Sequence, residues 1–353
     1  MSTGVLDTAL CKALACRYPI IQTAMGWVAT PELVAGTCNA GGFGFLAAAT
    51  SRPEQAEADI RKVATLTEQP FGVNFLMEQP GADQIVDSII RHGVRAASYS
   101  RSPRREFIDK FKAAGILCIP TVGAAKHAEK AVQLGADIIV AQGGEGGGHT
   151  GIVPTSLLLP QVVAAVDVPV VAAGGFHSGQ GLVAALAYGA TGIAMGTRFL
   201  LTAESPVPEA TAQRYFAASV TDVPVTTQVD GLPQRVVRNE LVTELESSSS
   251  PALLLRALRS ALAYRKLTGA SLSELLSAAL ALQKNDKLTR SQMLMAANAP
   301  ILIKRAMVEG VPSEGVLPSG QVTGVIDDRP TCASLIARIM NEAEQTLARL
   351  AVR

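Results

Sequence analysis

The stretch GGEGGGHTG (143–151) places one proton-exchanging ring inside a loop of six glycines. Glycine lacks a Cβ, so the backbone of such a loop can lie directly against a ligand. His149 is the side chain of this loop suited to general-base work near neutral pH. The pattern therefore indicates proton transfer beside a bound ligand, and a histidine that merely caps the next helix is the alternative. Glu145 receives no role from the pattern.

Two amides end apolar runs of the sequence. Asn74 is the fourth residue of FGVNF, where we expect the strand to end, and Gln142 is the last residue of DIIVAQ. A carboxamide can donate and accept hydrogen bonds at once, which suits the edge of a heteroaromatic ring such as an isoalloxazine. Each amide alone is more often a loop hydrogen-bonding group, so it is the pair that suggests a ring-binding site.

Two further glycine positions directly follow apolar runs. Gly174 and Gly175 come after VPVVAA, and Gly196 with Thr197 comes after TGIAM. Backbone N–H groups in such loops can approach a phosphate closely, and the N-terminus of a following helix favours negative charge. The two loops therefore predict a phosphate site, with tight strand-to-helix turns as the alternative.

Eight short apolar runs must position these residues: PIIQT, GFGFLA, FGVNF, VRAAS, ILCIP, DIIVAQ, VPVVAAGG and TGIAMG. Helix signals lie between them, as at Pro31-Glu32 and Pro53-Glu54. Runs that are apolar at nearly every position indicate strands covered on both faces. The alternation predicts an α/β fold, a (β/α)8 TIM barrel. A doubly wound open sheet would carry a glycine fingerprint after its first strand, which is absent here.

Residues 168–197 contain no Asp, Glu, Lys or Arg and could be mistaken for a membrane span. Pro169 and several glycines interrupt the run. We interpret it as a buried strand, a glycine turn, a helix and a second strand.

The alternation of strand and helix patterns ends after the eighth run. We predict a barrel domain over residues 1–205 and a mainly helical inserted second domain over 206–312 that includes a turn at Asp230-Gly231. Residues 313–353 are expected to return to the barrel and to end in an amphipathic helix that packs on it.

Composition limits the partners. The 353 residues carry 31 Lys plus Arg against 30 Asp plus Glu, without a basic block typical of nucleic-acid binding. We expect a small-molecule substrate, no nucleic acid and no membrane, and a homodimer is possible. Five cysteines without CxxC spacing predict neither a disulfide framework nor a metal site. The N-terminus lacks a signal-peptide pattern, so cytoplasmic residence is expected.

An ordered set of motifs now carries a family resemblance: AMG (24–26), AGGFGFLAA (40–48), FGVNF (71–75), QGGEGGGHTG (142–151), AAGGF (172–176), MGTRFL (195–200) and GQVTGVIDD (320–328). The chain resembles the nitronate monooxygenase (2-nitropropane dioxygenase) family, which includes the flavin-type enoyl-acyl-carrier-protein reductases. The resemblance covers nearly the whole chain.

The resemblance implies an FMN-containing TIM barrel with a helical second domain. His149 would be the catalytic histidine. The residues expected to contact FMN, from its ring to its phosphate, are Ala24, Met25, Gly26, Asn74, Gln142, Gly147, Gly148, Gly174, Gly175, Gly196 and Thr197.

Within the family, the chain looks closest to the branch of bacterial steroid degradation that dehydrogenates a coenzyme A thioester of the remaining C and D rings. His149 would take a proton while the flavin accepts a hydride. Nitronate oxidation with O₂ and NAD(P)H-dependent enoyl-thioester reduction are the enzymatic alternatives. A phosphate-ligand binding barrel without catalysis is the alternative of another class.

A coenzyme A substrate needs cations, and Arg101 and Arg104, after the fourth run, are the candidates for its phosphates. An exposed basic helix start is the commoner explanation of such residues. The insertion offers equally eligible cations, namely Arg235, Arg238, Arg265 and Lys266. Trp27, the only tryptophan, could line the substrate pocket or simply pack.

Overall fold

The computed structural model describes residues 3–49, 51–100, 103–247 and 290–352. Its strands are β1 (Ile20–Gln22), β2 (Phe43–Ala47), β3 (Gly72–Asn74), β4 (Ala96–Tyr99), β5 (Leu117–Val122), β6 (Ile139–Gln142), β7 (Gly148–His149), β8 (Val170–Ala173), β9 (Gly192–Met195), β10 (Val225–Thr226) and β11 (Gln234–Arg235). Eight of them close into a parallel barrel in the order β1-β2-β3-β4-β5-β6-β8-β9. Each of the eight apolar runs forms one of these strands, so the TIM-barrel prediction is confirmed.

The α-helices of the described residues are α1 (Thr3–Leu6), α2 (Ala9–Leu14), α3 (Pro31–Asn39), α4 (Pro53–Leu66), α5 (Ala82–Arg91), α6 (Arg105–Ala113), α7 (Ala125–Gln133), α8 (Thr155–Ala165), α9 (Gly179–Ala187), α10 (Thr197–Leu200), α11 (Glu209–Phe216), α12 (Glu240–Ser247), α13 (Arg290–Met307) and α14 (Cys332–Ala351). Pro31 and Pro53 open α3 and α4, as predicted, because proline has no N–H to lose at the first helical position. The uncharged run 168–197 folds into β8, α9 and β9, which confirms its reading as buried strand, helix and strand.

Side chains from seven barrel strands meet in one buried cluster that includes Phe43, Phe45, Ile119, Val140 and Val171. Because alternate residues of a strand point to opposite faces, these positions fill the barrel interior. Phe43 and Phe45 pack edge to face, with ring centroids 5.2 Å apart. The interior is therefore a packed core, and a ligand has to bind at an end of the barrel.

The amino end of the barrel is closed by α2. Leu10 and Leu14 of this helix are fully buried in the interior cluster. Thr8 donates a hydrogen bond to the carbonyl of Thr191, and Arg95 donates two to the carbonyl of Ala13. These contacts tie α2 to the starts of the strands, so the end at which the strands terminate is the one available to a ligand.

The chain forms two compact units. The barrel unit consists of residues 1–146, 150–206 and 326–353, and the second unit of residues 147–149 and 207–325. The second unit thus runs to Val325, beyond the expected boundary at 312, and it includes three residues of the glycine loop. This distribution follows from β7, which pairs with β11 and not with a barrel strand.

The core of the second unit is built from short strands and helices. Val229, Val236, Leu241, Leu245 and Val316 form its buried cluster. The predicted turn is present, since Gly231 has φ +86° and its N–H bonds to the carbonyl of Thr227. Helix α14, in the barrel unit, buries an apolar stripe that includes Leu335, Ile339 and Ala343 against α9 and α3. No helix among the described residues is long and apolar enough to cross a membrane.

Candidate active site

The barrel strands are all parallel, so their carboxyl ends open on one mouth. Asn74 ends β3 and Gln142 ends β6, while Gly174 and Gly175 follow β8. Gly196 follows β9, and Thr197 is the first residue of α10. The loop at 24–27 follows β1. The structure therefore brings the predicted cofactor residues of the barrel unit to the same end.

The loop after β1 has a constrained backbone. Trp27 has φ +66°, a left-handed conformation that costs a non-glycine residue roughly 1–2 kcal/mol. The N–H groups of Val28 and Ala29 both bond to the carbonyl of Met25, which closes the turn. A Cβ at Gly196 would lie 3.6 Å from Met25 Sδ, so the loops after β1 and β9 adjoin. Strain of this kind concentrates at functional sites.

The two amides are held differently. Asn74 Nδ2 donates to the carbonyl of Ser98 at 3.1 Å, and this bond orients the amide at the end of β3. Gln142 lies against Gly146, where a Cβ would come within 2.7 Å of Gln142 Nε2. Gly146 is therefore explained by the close approach of the Gln142 side chain.

Glu145, which received no role in the sequence analysis, caps helix α8. Its carboxylate accepts hydrogen bonds from Thr155 N at 3.0 and 3.1 Å and lies 2.7 Å from Thr155 Oγ1. Thr155 Oγ1 is also 3.1 Å from the carbonyl oxygen of Gly174. A negative charge at a helix N-terminus is stabilising, and the cap joins the loops after β6 and β8. Glu145 precedes Thr155 by ten residues, so no local capping pattern indicates this contact.

Consecutive left-handed glycines form the loop after β8. Gly174 has φ +97° and Gly175 φ +81°, which other residues adopt only with strain. Gly175 is exposed, and among the described residues the N–H groups of both glycines have no protein acceptor. Two adjacent N–H groups of this kind form a cradle for an anion.

The expectation that a helix N-terminus assists each glycine loop is wrong for α9. Gly179 N, in its first turn, donates to Glu342 Oε2 at 2.8 Å, and Ser178 caps Gly181 N. A carboxylate of the protein thus already occupies this end. This contact could not be predicted from sequence patterns, because Glu342 lies on α14, 163 residues away along the chain.

A buried arginine follows the loop after β9. Arg198 bonds to Asp328 Oδ1 at 2.8 Å and to the carbonyls of Leu201 and Asp328 at 2.7 Å. Burial lowers the pKa of the nearby His177, and the positive charge of Arg198 adds to that effect. The sequence analysis did not predict the pairing of Arg198 with Asp328. Arg198 lies in the MGTRFL motif and Asp328 in the GQVTGVIDD motif.

His149 belongs to the second unit, where β7 pairs with β11 in a three-stranded sheet. Its Nε2 lies 2.7 Å from Asp230 Oδ2, and Gln234 Nε2 lies 2.5 Å from the same oxygen. The imidazole is half exposed, whereas the Asp230 side chain is only 9% exposed. Burial opposes ionisation of Asp230, but hydrogen bonds from His149, Leu232 and Gln234 lower its pKa overall. A half-exposed ring paired with a buried carboxylate can exchange a proton.

The other glycines of the His149 loop differ in their surroundings. A Cβ at Gly147 would lie 2.5 Å from the backbone of Ser319 and Gly320, so this glycine permits close backbone packing within the second unit. Gly148 has φ +65° with no atom within 4 Å of its Cβ position. Conformation, not crowding, therefore requires glycine at 148.

Only some of the residues predicted to bind the substrate phosphates lie within the described part of the chain. Arg101 lies outside the described residues, as do Arg265 and Lys266. Arg104 forms ion pairs with Asp83 and Glu106, and its guanidinium lies 4.1 Å from the centroid of the Phe107 ring. In the second unit, Arg235 donates to the carbonyl of Val223, and Arg238 pairs with Glu246.

Comparison with known proteins identifies relatives of the chain. A family model described as nitronate monooxygenase matches residues 7–342. A Rhodococcus jostii (strain RHA1) protein named (3aS,4S,5R,7aS)-5-hydroxy-7a-methyl-1-oxo-octahydro-1H-indene-4-carboxyl-CoA dehydrogenase is 51% identical over 343 residues, 97% of both chains. A protein of the same name from Mycobacterium tuberculosis (strain ATCC 25618 / H37Rv) is 48% identical over 96% of both chains.

The fold is also similar to that of solved structures. The structure of FabK from Thermotoga maritima matches 98% of both chains with a TM-score of 0.79 and 29% identity. The names of the sequence relatives and of the family all describe oxidoreductases, and this chain is an oxidoreductase. Since the family model spans nearly its whole length, the chain belongs to the nitronate monooxygenase family.

Proposed function

We propose that the chain is an FMN-dependent dehydrogenase that desaturates a coenzyme A thioester of a two-ring steroid remnant. The observation that carries the proposal is the 51% identity, over 97% of both chains, to the Rhodococcus jostii protein whose name specifies such a thioester. The bicyclic oxo-indene of that name corresponds to steroid C and D rings. A proton-exchanging histidine paired with a buried carboxylate is the chemical equipment that this reaction needs.

The barrel unit fits a phosphorylated flavin. The N–H groups of Gly174 and Gly175 form a cradle, and a charge-assisted hydrogen bond to phosphate contributes about 1.5–3 kcal/mol. Gly196 and Thr197 would bind the same phosphate from the loop after β9. Because Glu342 occupies the first turn of α9, the phosphate would depend on these loops and not on that helix.

The flavin ring would be bound by groups at the other strand ends. Asn74, oriented by Ser98, and Gln142 would hydrogen-bond to the ring or ribityl chain. Ala24, Met25 and Gly26 would contact the cofactor through their backbone, and Gly147 and Gly148 would approach it from the His149 loop. When bound, FMN supplies the two-electron oxidant, since its N5 can accept a hydride.

The acid–base step falls to His149. The carbon next to a thioester carbonyl holds an acidified proton, which the imidazole would take as the C–H bond breaks and the carbon–carbon double bond forms. A hydride leaves the neighbouring carbon, so the substrate loses two electrons and two hydrogens in total. A positioned general base contributes roughly 10² to 10⁴-fold to the rate. Asp230 would compensate the charge of the imidazolium that results.

The substrate would also need contacts away from the reacting carbons. Trp27, fixed by its left-handed backbone, would line the pocket for the apolar rings. Arg101 and Arg104 would meet the coenzyme A phosphates. Arg104 already pairs with Asp83 and Glu106, so substrate phosphates would have to compete with these carboxylates.

Oxidation of an alkyl nitronate with O₂ is the second candidate, and the description of the matching family model favours it. Anaerobic mixing of purified, FMN-loaded protein with each reductant decides between them. Bleaching of the flavin by the bicyclic CoA thioester supports the dehydrogenase, by propionate 3-nitronate the monooxygenase, and by NADH or NADPH a reductase.

The product of the thioester reaction has to be identified as well. The named substrate also carries a hydroxyl at position 5, whose oxidation to a ketone would remove a different pair of hydrogens but give a product of the same mass. A ¹³C spectrum that shows a carbon–carbon double bond next to the thioester supports desaturation. A new ketone at position 5 would contradict the proposed mechanism.

A further inference from the structure

His149 is held by a frame of backbone and side-chain contacts within the second unit. In the antiparallel pairing of β7 with β11, Gln234 lies directly opposite His149. Side chains at directly opposed positions project to the same face of a sheet. Gly148, with φ +65°, turns the chain immediately before the histidine. The imidazole of His149 therefore lies beside the amide of Gln234.

The carboxylate of Asp230 is fixed independently of the histidine. Asp230 Oδ1 accepts a hydrogen bond from Leu232 N at 3.0 Å, two residues farther along the turn. This arrangement locks the aspartate side chain to its own backbone. Its other oxygen, Oδ2, then points to both Gln234 Nε2 and His149 Nε2.

Two N–H donors beside Asp230 favour its ionised form. Leu232 N and Gln234 Nε2 can only donate, so both favour the ionised carboxylate. An ionised carboxylate has no proton to give, and the 2.7 Å contact with His149 Nε2 therefore requires that the proton reside on the imidazole nitrogen. Gln234 Nε2 also lies 3.1 Å from His149 Nε2, but a protonated Nε2 has no in-plane lone pair to accept from it.

We infer that Asp230, with Gln234, is the positioning element of the site: it keeps neutral His149 in the Nε2–H tautomer, so that Nδ1 is the atom that takes the proton from the substrate. The first half of this inference concerns the free protein, and only the second half depends on the proposed function. The arrangement resembles the general device in which a buried carboxylate fixes the tautomer and orientation of a catalytic imidazole.

The test measures the tautomer and the reaction separately. The chain contains four histidines, so ¹⁵N-histidine labelling gives four imidazole spectra, and His149→Gln identifies the one of interest. In the wild-type FMN-loaded protein, at a pH at which the ¹⁵N shifts show a neutral His149 ring, Nε2 should carry the proton and Nδ1 should not. A neutral ring protonated at Nδ1 would overturn the inference without any variant and whatever the substrate is.

Asp230→Asn keeps the shape of the side chain and removes its charge. We expect the Nε2–H signature to be lost and the anaerobic rate of flavin reduction by the CoA thioester to fall about 10² to 10⁴-fold, with thioester affinity changed less than about 3-fold. Asp222→Asn is the matched control, because Asp222 also accepts from a nearby backbone N–H, of Ser219, in an exposed turn of the same unit. It should leave both readouts unchanged.

The outcomes separate the two proposals. An Asp230→Asn protein with the wild-type tautomer and wild-type rate would overturn the positioning role. Wild-type protein that shows the Nε2–H tautomer but is not reduced by any CoA thioester would instead contradict the proposed function and leave the tautomer assignment standing.

Discussion

Arg198 and Asp328, 130 residues apart in the chain, form an ion pair with 2.8 Å between Nη1 and Oδ1. The Arg198 side chain is only 3% exposed, and Arg338 of α14 bonds to the other oxygen of Asp328. Arg198 directly follows the glycine loop after β9, and Asp328 precedes α14. The pair therefore fixes the return of the chain to the barrel beside the loop that we expect to bind phosphate.

Removing Asp328 should destabilise the barrel unit. In Asp328→Ala, the guanidinium of Arg198 stays buried without its carboxylate, and an unsatisfied buried group of this kind costs about 1–3 kcal/mol. We expect a lower thermal unfolding midpoint and a lower urea midpoint. Asp327→Ala removes the neighbouring exposed carboxylate and should change either midpoint little. Equal losses in both variants would contradict a specific role for the pair.

The contribution of Asp328 should depend on pH in one direction. The hydrogen bond from Arg338 lowers the pKa of Asp328, and Arg198 lowers it further. The folded state therefore favours the ionised carboxylate, so the stabilisation is complete above the unfolded value near pH 4 and is lost as pH falls through the lower folded value. The difference in urea midpoint between wild type and Asp328→Asn should be constant from about pH 5 to 8 and shrink below about pH 4. A difference that grows on acidification would have the wrong sign.

Glu145 should matter for the stability of the loop and not for chemistry. Glu145→Ala removes the cap of α8, and a lost N-terminal cap costs about 0.5–2 kcal/mol. We expect a lower unfolding midpoint, while the rate of flavin reduction in protein that remains folded and loaded stays within a few fold of wild type. Glu129→Ala, on the exposed face of α7, is the control. A large loss of rate with no loss of stability would assign Glu145 to the reaction instead.

The sequence predicted the barrel because each strand is a local signal. Runs such as VPVVAA and TGIAM are apolar at nearly every position, as expected of short strands covered on both faces. The helix openings at Pro31 and Pro53 indicate the alternation of strand and helix. The same logic placed Asn74 and Gln142 at strand ends. Their proposed contacts with a cofactor stay predictions.

Partners that are distant along the chain could not be predicted in this way. Asp230 was recognised only as part of a turn, because its contact with His149 spans 81 residues and depends on two-residue strands that have no apolar periodicity. Glu342 likewise reaches the first turn of α9 from another helix. A hydrophobic pattern reports burial and period, not which polar groups meet.

Gly174 should be required for cofactor binding. Alanine at this position would be strained at φ +97°, and its Cβ would lie 3.0 Å from the carbonyl oxygen of Gly143. The loop would have to shift, with the loss of at least one hydrogen bond to phosphate, so we expect FMN to bind about 10 to 100-fold more weakly in a fluorescence titration of cofactor-free protein. Gly135→Ala has a similar conformational cost before β6, at the opposite end of the barrel, and should leave the affinity for FMN unchanged.

His149→Ala separates chemistry from cofactor binding. The imidazole contributes no backbone group, so the variant should retain FMN, whereas its reduction by the CoA thioester should slow by roughly 10²-fold or more because the general base is gone. Stopped-flow absorbance under anaerobic conditions measures this rate directly. His127→Ala, on the exposed face of α7, should reduce at the wild-type rate. If His149→Ala were reduced as fast as wild type, His149 would not be the base, and the Asp230 pairing would serve only the structure of the second unit.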